Sequence, residues 1–135
     1  PVTENMEKDW YEELLTKKNN REVYFAITNS NDIPIGFIFL KNINQIHRNC
    51  NLGIVIGEEV QRGKGNGEQA IRLLLAYAFD NLNLNKVLVE VLEENFNAIK
   101  LYKKLGFIEE CVLQQHYFSK GSYHNVIIMS LFKPF

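Results

Sequence analysis

At 135 residues and 15.7 kDa the chain fits one compact domain, and 46% hydrophobic with 12% aromatic residues can fill one substantial core. With 15 basic and 16 acidic side chains the formal charge is -1, which lacks the basic footprint of a nucleic-acid binder. No apolar run approaches the roughly 20 residues needed to cross a bilayer, and no charged-then-apolar leader opens the chain, so the expected address is the cytoplasm with no membrane partner. Cys50 and Cys111 have neither metal or redox spacing nor the density of a disulfide scaffold, and both are expected as packed free thiols.

In chain order, Thr3 caps an expected helix from about Glu4 to Lys18, in which Met6, Trp10 and Leu14 recur every four residues. A β-rich run, Val23 to Thr28, ends in the turn cluster Asn29-Ser30-Asn31-Asp32 and returns as a hairpin through Ile35 to Ile43, with Pro34 at its entry. A third strand, Cys50 to Ile56, precedes a glycine-rich loop, and Ala70, Leu73, Leu74, Tyr77, Ala78 and Leu82 then mark one face of a helix. Lys86 to Leu92 is almost uniformly apolar, as expected of a central strand buried on both sides, and Glu90 is its one acidic intruder. Asn95 or Asn97 caps the next helix, whose apolar face carries Ile99, Leu101, Tyr102 and Leu105, and Gly106 stops it. Two strands, Phe107 to Phe118 and Tyr123 to Phe132, flank the turn Ser119 to Ser122. The order αβββαβαββ predicts a mixed α/β domain with strand-helix-strand crossovers at its centre.

The loop Gln61-Arg62-Gly63-Lys64-Gly65-Asn66-Gly67-Glu68 joins a strand to a helix start. Glycines let the backbone approach a ligand closely, and the first helical turn offers unpaired N–H groups and a positive dipole end, so a phosphate-bearing cofactor is expected there. A P-loop needs Ser or Thr after the lysine to hold magnesium, whereas Gly65 follows Lys64. A dinucleotide fingerprint needs a third glycine where Glu68 stands, which weakens that reading without removing it. The pattern of Arg or Gln, two residues, Gly, one residue, then Gly or Ala is filled by Arg62, Gly65 and Gly67. It resembles the pyrophosphate loop of the GNAT superfamily of acetyl-CoA-dependent N-acetyltransferases.

A second segment, Glu90 to Phe107, is similar to the same family's later signature: a strand ending in a polar pair, then Asn95, Ala98, Leu101-Tyr102 and Gly106-Phe107. The resemblance covers most of the chain and is nearest the branch of ribosomal-protein, spermidine and aminosugar acetyltransferases. That family begins with a strand and a first helix, whereas this chain opens on what reads as the second helix, so an N-terminally truncated GNAT-like fold is expected. A missing edge strand would leave the Val23 to Thr28 backbone open to pairing, and a homodimer contact is expected there.

The resemblance implies acetyl transfer from acetyl-CoA to a primary amine, on a small molecule or a peptide, by direct attack in a ternary complex. It assigns the pyrophosphate to the backbone of Gly63, Lys64, Gly65, Asn66, Gly67 and Glu68, with charge from Arg62 and Lys64. It splays the strand Gly53 to Ile56 from the Lys86 strand, so that Ile54, Val55 and Ile56 meet the pantetheine arm and an amide near Val55 or Ile56 polarises the thioester. Tyr102 is the acid returning a proton to the thiolate, and Asn95 bonds or shapes the pantetheine groove. Glu90, twelve residues before Tyr102, is the expected general base, because burial of an intruding carboxylate raises its pKa toward the useful range. His47, His116 and His124 lack metal spacing, and no metal is expected. Asn125 stands where the branch commonly carries Asp, and Cys111 has no nearby base that would make it a nucleophile. A noncatalytic acyl-CoA-binding or oligomerising module is the alternative, and the acceptor itself is not written in these motifs.

Overall fold

The computed structural model describes residues 21–57 and 66–134, so the expected helix from Glu4 to Lys18 and the loop residues Arg62, Gly63, Lys64 and Gly65 lie outside the described residues. Six strands form one mixed sheet: β1 (Val23–Thr28), β2 (Pro34–Asn44), β3 (Asn49–Ile56), β4 (Lys86–Leu92), β5 (Ile108–Ser119) and β6 (Ser122–Phe132), in the spatial order β1-β2-β3-β4-β6-β5. Helix α1 (Asn66–Ala76) crosses from β3 to β4, and α2 (Phe96–Lys104) leads from β4 toward β5. Helix α1 starts earlier than the apolar periodicity indicates and ends in a wider π-turn over Tyr77–Asn81, closed by Leu82 N–H donating to Tyr77 C=O at 3.1 Å.

Alternation along the strands sorts side chains onto two faces. The register aligns Phe25, Ile38 and Ile54 on one face and continues it through Cys50, Val87, Val89, Val91, Ile127 and Met129. Both helices cover this face. Ala70, Ile71, Leu74, Tyr77 and Ala78 of α1 and its π-turn join these strand residues in the core, Tyr77 meeting Phe25 edge-on at 6.1 Å, and Tyr102 comes from α2. The opposite face carries Tyr24, Phe39, Lys41, Gly53, Asn51, Leu88 and Glu90.

Two expectations need correction here. β4 is buried on one face only: Val87, Val89 and Val91 are buried, whereas Leu88 and Leu92 are half-buried and Glu90 is exposed. The burial expected of Glu90 is therefore absent. Cys50 is fully buried, and loss of solvent pushes its thiol up to about 12, but Cys111 is exposed where β5 slips register between Glu109 and Cys111. The β5–β6 turn agrees with the sequence: Lys120 and Gly121 have φ of 50° and 79°, the paired left-handed conformation of a two-residue hairpin.

Candidate active site

The opening at the centre of the sheet follows from how short the β3–β4 pairing is. Parallel register runs only from Asn49 with Lys86 to Asn51 with Leu88, and beyond it the two strands separate. Between Leu52 and Val55, β3 has no ladder partner on β4 among the described residues, which is the splay expected at Gly53 to Ile56. Gly67 brings the start of α1 close to this segment: a Cβ there would meet Ile56 Cδ1 at 3.4 Å and Ile54 Cδ1 at 3.6 Å.

Tyr102 is held from both ends of α2. At the N-terminus Asn95 Oδ1 accepts from the Ala98 N–H at 3.2 Å, filling one of the orphan donors of the first turn. At the C-terminus Gly106, with φ of 102°, allows Phe107 N–H to donate to Tyr102 C=O at 2.9 Å and Gly106 N–H to Lys103 C=O at 3.0 Å. These two bonds form a Schellman motif, and its usual apolar contact is the edge-on packing of Phe107 against the Tyr102 ring at 5.2 Å. The spacing Leu101-Tyr102 to Gly106-Phe107 is thus a device for stopping a helix while fixing its tyrosine. Tyr102 is 6% exposed, and burial pushes its phenol up to about 12, which keeps it protonated at neutral pH.

The loop between β4 and α2 is clamped by β6. Glu93 N–H donates to Asn125 C=O at 3.0 Å, and Glu94 Oε1 lies 2.6 Å from His124 Nδ1. Asn125 Oδ1 accepts from Gln115 N–H at 2.9 Å, at an irregularity in the β5 register where Gln115 has φ of 48°. The Asn125 oxygen is therefore occupied in shaping the hairpin.

Two clefts meet at Tyr102. The first, of about 720 Å³, runs between the helices over Ile54, Val55, Ile56, Gly67, Glu68, Ile71, Asn97 and Leu101. The second, of about 470 Å³, reaches the other face of the sheet past Gly53 and is lined by Phe39, Lys41, Asn42, Asn51 and Glu90. Ile54, Asn95, Ala98 and Tyr102 line both. Because the second cleft includes residues from both faces, it passes through the gap that the splayed strands leave.

Glu68, in the first turn of α1, receives Arg72 at 3.1 Å and Lys104 of α2 at 3.0 Å. The Lys104 and then the Arg72 hydrogen bonds hold its carboxyl below the usual carboxylate range. Its negative charge is thus matched by two cations rather than left facing an incoming anion. Asn66 lies in α1 as its first residue, and Glu68 and Gly67 line the helix-side cleft. Sequence reasoning missed Phe39, Lys41, Asn42 and Asn51. A signal was present in the slip from a two-residue to a three-residue step between the buried Leu40 and Ile43, where Asn42 takes φ of 54° and the β2–β3 register shifts.

A mixed sheet opened between its central parallel strands, a helix start beside the opening and a capped tyrosine at the junction define a class. Residues 1–108 match the family model for the acetyltransferase (GNAT) domain, and the chain belongs to that family. It is 38% identical over 120 residues to the spermidine N(1)-acetyltransferase of Vibrio cholerae, covering 87% of this chain and 69% of that one. Identity to the Escherichia coli spermidine N(1)-acetyltransferase is 41% over 98 residues, covering 73% of this chain and 52% of the relative. The crystal structure of the Vibrio cholerae spermidine N-acetyltransferase in complex with CoA and spermine superposes with a TM-score of 0.80 at 35% identity, covering 93% of this chain and 75% of that one. A dodecameric structure of the same enzyme matches with the same TM-score of 0.80 at 33% identity, over 91% of this chain and 70% of that one.

Proposed function

We propose that residues 1–135 act as one acetyltransferase domain, moving the acetyl group of acetyl-CoA to a primary amine by direct attack within a ternary complex. The observation that carries this reading is the position of Tyr102, shared by a cleft on the helix side and a cleft through the sheet. The donor takes the helix side. Its pyrophosphate meets Arg62 and the amides of Gly63, Lys64, Gly65, Asn66, Gly67 and Glu68, and its arm lies along Ile54, Val55 and Ile56 with Asn95 opposite. The amine enters from the other face, where Glu90 stands. There it takes the ammonium proton directly or through water, its role now argued from its place in the cleft rather than from burial. As the C–N bond forms and the C–S bond breaks, the Tyr102 hydroxyl gives its proton to the departing thiolate.

The spermidine acetyltransferases among the relatives make a polyamine the first acceptor to try. β1 is one of the two edge strands of the described sheet and is the proposed edge for pairing with a second copy, in the cytoplasm. The mechanism is tested by initial rates with both substrates varied. Intersecting reciprocal plots are expected, and parallel plots would replace direct attack with an acetyl-enzyme route. Calorimetric binding of acetyl-CoA without turnover of any amine would instead make the chain a noncatalytic acyl-CoA-binding module.

A further inference from the structure

The acceptor-side cleft holds two unpaired charges of opposite sign. Lys41 and Glu90 both line it, and neither has an ion-pair partner among the described residues. Between them lies an amide, because Lys41 is in register with Asn51 and Asn51 with Leu88, two residues before Glu90 on the same face of β4. Strands about 4.8 Å apart and a rise of about 3.4 Å per residue put the two Cα atoms on the order of 12 Å from each other. Lys41 is not a freely waving surface lysine. Its ammonium rests 5.0 Å from the centre of the Phe39 ring and 5.9 Å from that of Tyr24, and the Phe39 ring lies across Gly53, where a Cβ would meet it at 2.1 Å. The register slip after Lys41 presents Asn42 to the same cleft.

We infer that Lys41 selects the acceptor, and that the preferred acceptor is dipolar: a primary ammonium at Glu90 and, at the other end, an anionic group received by Lys41 and the neighbouring asparagines. This rests on the proposal that the amine enters by this cleft, and it sets this chain's acceptor apart from the polyamine that its relatives' names suggest. A polyamine would set its second ammonium beside Lys41, where like charges repel. A carboxylate end and a phosphate end both answer to one ammonium, and they are separable by experiment.

The test uses four amines of one chain length, ω-aminooctanoate, ω-aminooctyl phosphate, octylamine and octane-α,ω-diamine, bound to the CoA-loaded protein and followed by calorimetry. The anionic ends are expected to bind about fivefold more tightly than octylamine, and the diamine more weakly, the size expected of a partly exposed charge pair. Lys41→Gln should bring the anion-ended amines to the level of octylamine, and Lys41→Glu should put the diamine first. Added salt should compress the differences as the screening length shortens. The ranking of carboxylate against phosphate names the natural end group. A diamine that binds wild type best, an order that survives Lys41→Gln, or no binding by any of the four overturns the inference. Turnover, read separately as CoA release, distinguishes the two proposals: the expected binding order without acetylation sinks the catalytic reading and leaves the role of Lys41 standing.

Discussion

The two sides of the opening in the sheet are built by different means. On the helix side the shape comes from main-chain devices: a helix start drawn against β3 by Gly67, an asparagine cap and a Schellman stop, with apolar side chains filling the remaining surface. On the far side the surface is made of exposed side chains, Lys41, Asn42 and Glu90, beside a register slip. A donor common to a whole family is suitably held by backbone that substitution hardly changes. An acceptor is suitably chosen by side chains that can be exchanged without disturbing the core.

Removing the element that joins the two sides should have the largest effect. Tyr102→Phe is expected to lower kcat by about 10²-fold or more while leaving the calorimetric Kd for acetyl-CoA close to wild type. A mutant that turns over normally would reduce Tyr102 to a packing residue. Glu90→Gln changes only the proposed acceptor side, and kcat/KM should fall about 10²-fold at neutral pH, with a smaller loss for amines of low pKa. Turnover within about twofold of wild type for lysine-like amines would remove Glu90 as the base.

Tyr102 also links the site to stability. Burial raises its pKa in the folded state to about 12, against an unfolded value near 10, so the folded state prefers the neutral phenol. Its contribution is complete below about pH 10 and is lost as pH rises toward about 12, a change of about 2–3 kcal/mol. Chemical unfolding across that window should show a smaller loss in Tyr102→Phe than in wild type, the remainder including the buried Cys50 thiol, which is raised in the same direction. The smallest effect belongs to the cap: Asn95→Ala should cost about 1 kcal/mol, read as a lower Tm, with weaker acetyl-CoA binding if Asn95 also meets the donor.

Legibility followed the same division. β1 and β4 agree with the expected Val23 to Thr28 and Lys86 to Leu92, because β-branched runs bounded by turn residues have few other readings. Asn95, Tyr102 and Gly106 were readable because capping, packing and a positive φ each demand particular residue types. The burial of Glu90 was misjudged because an apolar run looks alike whether one face or two are covered. Lys41 and Asn51 were missed because a polar residue on an open face of a strand has many possible reasons to be there. The π-turn after Ala76 left no mark in the periodicity, since Tyr77 and Ala78 stay buried either way.

The three-pair junction between β3 and β4 also divides the sheet by sequence. β1, β2 and β3 are consecutive antiparallel strands from Val23 to Ile56, and β4, β6 and β5 occupy Lys86 to Phe132, so every other strand contact stays within its own stretch of chain. Only β1–β2–β3 and β5–β6 zip through short loops; β4 reaches β6 across α2 and β5, a closure as distant as its joining to β3. The opening between β3 and β4 is therefore also a seam between two contiguous stretches of chain, where the fewest backbone bonds resist opening.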